Sequence, residues 1–259
     1  MKALAARRHH RFAPVVLLLL ALLVTGGVYA ALAPSPAQAD TASTEDIETG
    51  KKLFQANCAT CHGPNAEGTT EAPSLVGVGA AAVDFQVSTG RMPMQMSGPQ
   101  AAAKPPQMDE EQTAALAAYV ASLGPGPAIP TDEQVDAAEG DAAEGMALFR
   151  TNCAMCHNAV GAGGALSEGK YAPALLETSD RNIYQAMLTG PQSMPVFNDA
   201  TLTPKEKRHI IAYVAEQRDG SAGGLSLGNL GPVSEGLWAW IVGLGLIIGA
   251  AVWIGAKSS

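Results

Sequence analysis

A fifteen-residue segment carrying two cysteines and a histidine occurs twice in this chain of 259 residues. Glu48–His62 and Ala143–His157 align without a gap at an offset of 95, and both end in the pattern Cys-x-x-Cys-His. A fixed order of features separated by loops of variable length is typical of a duplicated domain. The sequence therefore predicts two similar repeats. The other matching blocks are Ala72–Leu75 with Ala172–Leu175, Thr89–Pro93 with Thr189–Pro195, and Ala118–Val120 with Ala212–Val214.

The Cys-x-x-Cys-His pattern is the attachment signature of c-type haem. Two cysteines three positions apart on one helical turn can reach both vinyl groups of a porphyrin as thioethers, and the adjacent histidine then faces the iron. We therefore expect two covalently bound haem c groups, with His62 and His157 as axial ligands. The thioether-forming residues would be Cys58 and Cys61 in the first repeat and Cys153 and Cys156 in the second.

Two other chemistries share this cysteine spacing. A disulfide or thioredoxin-like pair would suit an oxidising compartment, although the adjacent histidine in both copies argues against it. A zinc site needs four ligands, and the two motifs together could supply six.

The second axial ligand distinguishes electron transfer from reactivity at an open iron. Beyond residue 40 the only histidine outside the motifs is His209, so two bis-histidine haems cannot form within this chain. Met92 and Met194 each lie in a Thr-Gly…Met-Pro setting, 30 and 37 residues after the adjacent histidine, and thioether sulfur is a known haem ligand. Met94 and Met96 compete with Met92, and Met187 competes with Met194. We expect His209, in a charged run at a helix start, to lie on the surface.

Several residues should position the axial ligands. A carbonyl at Pro73 or Pro173 could accept the imidazole Nδ1–H and so fix the ring. Gly50 and Gly145 would let the first helix of each repeat approach the last, and an aromatic pair would pack beside each crossing. These pairs are Phe54 with Tyr119 and Phe149 with Tyr213.

Each repeat is interpreted as a leading helix, the cysteine motif, a long loop and a closing helix. Thr203, Pro204 and Glu206 form a typical helix start with a capping box. The acidic stretch between the repeats contains no basic residue and is expected to be extended or frayed rather than packed. The predicted leading helices are 47–57 and 142–152, and the predicted closing helices are 109–122 and 204–217.

Two apolar segments indicate a membrane protein. The first, 12–33, follows a basic start and precedes Ala37-Gln38-Ala39, which is the order of a secretory signal cleaved after Ala39, although its length would also allow an uncleaved anchor. The second, 237–256, is uncharged, long enough to span a bilayer, and has tryptophans near both ends. Lys257 would then face the cytoplasm, and the repeats would lie on the outer side of the cytoplasmic membrane.

The charge of the exported part limits its partners. All 24 acidic residues lie at or after Asp40, where only twelve basic residues remain, giving a formal charge of −12. This disfavours nucleic acid and anionic lipid headgroups as partners, and favours a basic or neutral docking surface.

Each repeat resembles a class I cytochrome c in its leading helix, Cys-x-x-Cys-His, proline loop, Met-Pro and closing aromatic helix. The whole arrangement is similar to the di-haem cytochrome c subunit of the actinobacterial quinol–cytochrome c reductase, the bcc-type complex. That resemblance implies a mainly α fold with two tandem class I cytochrome c domains and a C-terminal transmembrane helix. It also implies electron transfer from a Rieske iron–sulfur protein to an aa-type terminal oxidase, with a cytochrome b subunit as a further partner.

The expected division of the chain is a signal peptide or N-terminal anchor (1–39), a first cytochrome domain (45–124), an acidic linker (125–141), a second cytochrome domain (142–219), a glycine-rich tether (220–236) and a transmembrane helix (237–256).

Other functions remain open at this point. The chain could be an anchored di-haem shuttle or the cytochrome subunit of a periplasmic dehydrogenase. A di-haem peroxidase would need a vacant or displaceable ligand, which two Met-Pro loops do not favour.

Overall fold

The structure is a computed structural model, and it describes residues 12–32, 43–96, 98–219 and 232–256. It is mainly helical, as expected. The only strands in those residues are β1 (Gly164–Ala165) and β2 (Tyr171–Ala172), which pair antiparallel. The expected cleavage after Ala39, most of the glycine-rich tether (220–231) and Lys257 lie outside the described residues.

The leading and closing helices occur in both repeats, and each helix begins and ends within three residues of its predicted limits. α2 and α7 are the leading helices, and α5 and α10 are the closing helices. In chain order the described α-helices are α1 (Ala13–Leu32), α2 (Thr44–Asn57), α3 (Ala59–His62), α4 (Gly79–Ser88), α5 (Glu110–Ser122), α6 (Asp132–Val135), α7 (Ala142–Asn152), α8 (Ala154–His157), α9 (Asp180–Thr189), α10 (Pro204–Asp219) and α11 (Pro232–Ala256).

Side-chain caps explain where the long helices begin. Ser43 Oγ accepts the Asp46 N–H at 3.1 Å, and this cap starts α2 three residues before the predicted position. At α10 the predicted capping box is confirmed, since the Glu206 N–H donates to Thr203 Oγ1 and the Thr203 N–H donates to Glu206 Oε2. Such boxes satisfy backbone donors that have no partner within the helix.

The leading helix crosses the closing helix at a glycine in both repeats, as predicted. A Cβ on Gly50 would lie 1.9 Å from the carbonyl oxygen of Ala115, and a Cβ on Gly145 would lie 1.9 Å from that of His209. The predicted aromatic pairs flank these crossings. Phe54 with Tyr119 and Phe149 with Tyr213 both have ring centroids 5.3 Å apart at an interplanar angle of 51°.

The sequence interpretation missed one helix in each repeat. α4 and α9 lie in the stretches expected to be long loops, and both contribute apolar side chains to the two cores. Val83 and Val87 of α4 pack in the first core, and Ile183 and Met187 of α9 pack in the second. Each helix has only ten residues, which is too short for periodicity alone to separate it from a loop.

The expectation of an extended, unpacked linker is wrong. The stretch between the repeats forms α6 and a 3₁₀ turn at Ala137–Glu139, and Val135 and Ala137 pack against the second core. Thr131 and Asp136 accept backbone N–H groups at the starts of these turns. An acidic, polar composition is therefore compatible with order here, because the polar side chains cap short helices while the apolar ones are buried.

The expectation that His209 lies on the surface is also wrong. Its side chain is buried because it lies on the face of α10 that crosses α7. Its Nδ1 accepts the Asp141 N–H at 2.7 Å, and its Nε2 lies 3.2 Å from Glu144 Oε2. The charged neighbours that suggested exposure differ in burial, since Lys205 is exposed whereas Lys207 is buried and pairs with Asp199. A short charged run of sequence does not reveal this difference.

The C-terminal apolar helix has the properties of a membrane span. Within the described residues one helical stretch, Gly236–Ala256, is long and apolar enough to cross a bilayer. Its tryptophans and aliphatic side chains are exposed, and water would be an unfavourable surrounding for so much apolar surface. The apolar part of α1, Pro14–Val28, is shorter.

The glycine crossing leads to a stability prediction. Gly145→Ala should lower the free energy of unfolding of the second repeat by about 1–3 kcal/mol or more, because the new methyl group overlaps the α10 backbone. Thermal unfolding of the haem-loaded chain, followed by haem absorbance, measures this loss. Gly98→Ala is the matched control, since a Cβ there has its nearest neighbour at 3.9 Å. Equal melting temperatures for the two variants would contradict the prediction.

Candidate cofactor sites

In both repeats the cysteine motif continues directly from the leading helix. The Cys58 N–H donates to Phe54 O at 2.8 Å, and the His62 N–H donates to Cys58 O at 2.9 Å. The second repeat has the same two bonds, Cys153 to Phe149 and His157 to Cys153, with the same lengths. The motif therefore forms one extra helical turn, α3 or α8, on which the two cysteines and the histidine are held close together.

Both imidazole rings are aimed by a proline carbonyl, as predicted. His62 Nδ1 lies 2.8 Å from Pro73 O, and His157 Nδ1 lies 2.9 Å from Pro173 O. A carbonyl can only accept, so Nδ1 carries the proton in each bond and Nε2 keeps the lone pair in the neutral ring. Each ring is thereby fixed in the tautomer that leaves Nε2 available as a metal ligand.

Burial favours the neutral form of the second imidazole. It lowers the pKa of His157 from its ordinary value, and the hydrogen bond to Pro173 only partly opposes this effect. Neutral imidazole is the form that binds a metal.

The first cysteine of each motif is held as a thiol. Burial, reinforced by the neighbouring Cys61, raises the pKa of Cys58 to about 11, and burial together with Cys156 raises that of Cys153 to about 12. All four cysteines are free of disulfides in the described part of the chain. A thioredoxin-like nucleophile has a lowered thiol pKa instead, so the electrostatics do not favour that alternative.

The two predicted methionines lie at the cores of their repeats. Met92 and Met194 are partly buried and pack against the first and second core respectively. Met94 and Met96, the rivals of Met92, are 41% and 79% exposed, whereas Met187 is fully buried in α9. Of the three neighbouring methionines in the first repeat, Met92 is thus the one that faces inward.

Backbone hydrogen bonds and a lysine hold the methionine loops. The Met92 N–H donates to Gln86 O at 2.9 Å, and Lys104 Nζ donates to Pro93 O at 2.8 Å. In the second repeat the Met194 N–H donates to Pro191 O at 3.1 Å. Beyond Met194, the Phe197 N–H donates to Met187 O at 2.7 Å, so each loop is held by hydrogen bonds at or before the methionine and by a further one after it.

In the second repeat these groups surround a cavity of about 470 Å³, within the usual range for small-molecule and cofactor sites. Its thiols, imidazole and thioether are the donor set that haem c requires, and apolar side chains form much of the wall. The cavity is therefore suited to a porphyrin. The donors are Cys153, Cys156, His157 and Met194, and the apolar lining includes Phe149, Ile183, Met187, Phe197 and Ile210.

Part of this cavity wall comes from the first repeat and was not predicted. Phe85, Arg91 and Gln100 line the cavity together with the donors of the second repeat. Arg91 stands inside the repeated Thr-Gly…Met-Pro block but has no counterpart at the matching place in the second copy. The presence of this arginine in one copy only was the one sequence signal for its role. It did not reveal which repeat the side chain would contact.

Comparison with known proteins identifies the family. Residues 47–124 match the family described as Cytochrome c, and residues 140–214 match Cytochrome C oxidase, cbb3-type, subunit III. The chain is 47% identical to the cytochrome bc1 complex cytochrome c subunit of Mycobacterium bovis, over 97% of this chain and 93% of that protein. The chain belongs to the family of cytochrome bc1 complex cytochrome c subunits.

A second member of the family of cytochrome bc1 complex cytochrome c subunits, from Corynebacterium diphtheriae, is 44% identical over 99% of both proteins. Among solved structures, one from the Kuenenia stuttgartiensis reducing HAO-like protein complex aligns with 70% of this chain and 99% of its own. It has 16% sequence identity and a TM-score of 0.34.

Family membership confirms the fold class of two cytochrome c domains, and such domains hold covalently bound haem c.

The duplicated aromatic pair offers a matched test of the loop after the second histidine. Tyr213 Oη donates to Ala159 O at 2.7 Å, and among the described residues Tyr119 makes no such bond in the first repeat. Tyr213→Phe should therefore destabilise its repeat by about 1 kcal/mol, whereas Tyr119→Phe should be close to neutral. Denaturant unfolding of the haem-loaded chain measures both changes, and equal losses would contradict the role of this bond.

Proposed function

We propose that the chain is the di-haem c electron-transfer subunit of a membrane quinol–cytochrome c reductase. It takes electrons from a Rieske iron–sulfur protein and passes them to an aa-type terminal oxidase in the respiratory chain. The observation that carries the proposal is the repeated site geometry, in which two buried histidines are oriented by proline carbonyls in a chain 47% identical to cytochrome bc1 complex cytochrome c subunits. The proposed domains are those expected from the sequence, 45–124 and 142–219.

The proposed ligands are the same types in both repeats. Each repeat would hold its haem c through two cysteines as thioether anchors, with one histidine and one methionine as the iron ligands. When bound, haem c supplies an iron that takes up and releases one electron. The first site consists of Cys58, Cys61, His62 and Met92, and the second consists of Cys153, Cys156, His157 and Met194.

In this function the protein orients the axial ligands and adjusts the reduction potential of the haems. The Pro73 and Pro173 carbonyls hold the ring planes and raise the basicity of the imidazoles. Methionine sulfur raises the reduction potential relative to a second histidine, and burial removes water from the iron. If a histidine and a methionine both bind the iron, neither site would leave the iron a free position for a substrate. The chain would thus contribute to a translocase without a catalytic site of its own, which argues against a peroxidase.

The apolar helix and the charge suggest how the subunit is arranged in the complex. The span Gly236–Ala256 would anchor it in the lipid of the cytoplasmic membrane, with the haem domains outside and the C-terminus in the cytoplasm. The exported part carries a formal charge of −12, so complementary partners would present basic or neutral surfaces. Those partners are the Rieske subunit, the cytochrome b subunit and the oxidase.

The ligand assignment predicts a spectral change for each methionine. Met92→Ala and Met194→Ala should each convert one of two low-spin haems to high spin, because removal of the sulfur opens one axial position. Absorption and EPR spectra of the purified chain measure the spin state, and haem staining after denaturation checks that the cysteine links persist. Met96→Ala is the matched control, since its side chain is 79% exposed.

Loss of the low-spin signal in Met96→Ala or Met94→Ala, with Met92→Ala unchanged, would overturn the first assignment. Retention of both low-spin haems in Met194→Ala would overturn the second. A spectrum with less than two haems per chain would contradict the di-haem proposal itself.

The complex assignment predicts what accompanies the chain in mild detergent. Purification through a tag on this subunit should recover quinol oxidase activity together with haems b and a, because the C-terminal span holds the subunit among the other membrane components. Recovery of the chain alone, or with a periplasmic dehydrogenase, would favour the anchored shuttle or the dehydrogenase subunit instead.

A further inference from the structure

The two repeats contact each other through a polar network that is partly buried. Asp84 on α4 is only 8% exposed, and it accepts hydrogen bonds from Arg181 Nε at 3.1 Å and from Gln185 Nε2 at 2.5 Å, both on α9. A buried carboxylate is costly unless it is paired and hydrogen-bonded. This network therefore favours one relative placement of α4 and α9 over any separated arrangement.

A second set of bonds ties the methionine loop of the first repeat to the second repeat. Gln100 Nε2 donates to Tyr171 O and the Tyr171 N–H donates to Gln100 Oε1, both at 2.9 Å. The Ala101 N–H donates to Gln192 Oε1 at 3.3 Å. Because Gln192 precedes Met194 by two residues, the chain segment that follows Met92 is bonded to the segment that carries Met194.

Arg91 extends from this interface to the cavity of the second repeat. It immediately precedes Met92 in the chain, yet its side chain lines the cavity that contains Cys153, Cys156 and His157. The guanidinium carbon lies 4.8 Å from the centre of the Phe85 ring, which supports the charged group from one side. Arg91 is thus next to Met92 along the chain, while its guanidinium lies against Phe85, another residue of the wall of the second cavity.

The charge of Arg91 is not balanced by a carboxylate in the described part of the chain, whose ion pairs do not include it. Among the described residues that line the cavity it is the one lysine or arginine, and the one acidic residue, Glu177, is solvent-exposed. A half-buried cation in an apolar wall is stabilised by an anion that enters the same space. Haem brings two propionate groups.

We propose that Arg91 of the first repeat binds a propionate of the haem in the second repeat, and so completes that site from the neighbouring domain. This inference rests on the proposed function, since it requires a haem in the second cavity. A planar guanidinium can donate two parallel hydrogen bonds to a carboxylate. A cation at this place stabilises the reduced iron relative to the oxidised iron, so Arg91 keeps the reduction potential of the second haem high.

The test measures the midpoint potentials of both haems in the purified full-length chain. Arg91→Gln should shift the reduction equilibrium of the second haem toward the oxidised form by about tenfold, a fall of about 59 mV for one electron. The first haem should shift by clearly less. Met194→His identifies which transition belongs to the second haem, because histidine in place of methionine lowers the potential of that site alone.

Three further variants complete the test. Arg91→Met removes the charge but keeps an apolar stem against Phe85, and it should reproduce the shift even if Arg91→Gln folds poorly. Arg91→Lys keeps the charge without the planar fork and should retain most of the wild-type potential. Arg150→Gln is the matched control, because this arginine lies in α7 of the second repeat and is exposed, and it should leave both potentials unchanged.

Two results would overturn the proposal. One is an unchanged second potential in both Arg91→Gln and Arg91→Met, and the other is a shift confined to the first haem. The low-spin spectrum and the haem content of the same samples report on Met92 and Met194 ligation. Two intact low-spin haems with unshifted potentials therefore reject the role of Arg91 and leave the proposed function standing, whereas absence of haem c from the wild-type chain rejects the proposed function first.

Discussion

The close crossing of the leading helix over the closing helix determines the geometry of each repeat. At Gly50 and Gly145 the two backbones are so near that a methyl group would overlap the opposite carbonyl. From this crossing the leading helix runs directly into the cysteine motif, so the crossing also determines where each histidine lies. Pro73 or Pro173 then orients the ring from a separate loop. The positions of the cysteines and the histidine in each repeat are therefore determined mainly by backbone packing.

The cores of the two repeats are small, and their composition explains the need for a covalently held group. A short, loop-rich domain buries too little apolar surface to be stable by itself, and a prosthetic group that fills its centre adds the missing contacts. The walls of the second cavity illustrate this, since Phe149, Ile183 and Met187 belong at once to the core and to the cavity lining. The same side chains that form the core of the domain thereby line the proposed cofactor site.

Duplication has produced two similar backbones in different surroundings. The aromatic pairs and the imidazole hydrogen bonds are nearly identical in the two repeats, yet Asp84, Gln100 and Arg91 of the first copy are used to contact the second. These residues make the interface polar, specific and partly buried. A fixed interface would suit the proposed di-haem role, because a fixed separation between the two sites would allow electron transfer without a search by diffusion.

The local features could be predicted from the order of residues alone: the duplicated motif, the leading and closing helices, the capping box at Thr203, the glycine crossings and the apolar C-terminal helix. Each follows from short-range periodicity, or from chemistry that needs particular residues at a fixed spacing. The burial of His209, the packing of the linker and the position of Arg91 at the neighbouring cavity became evident only in the folded chain. These depend on which surfaces meet when distant segments pack, and nothing in the order of residues along the chain encodes that pairing locally.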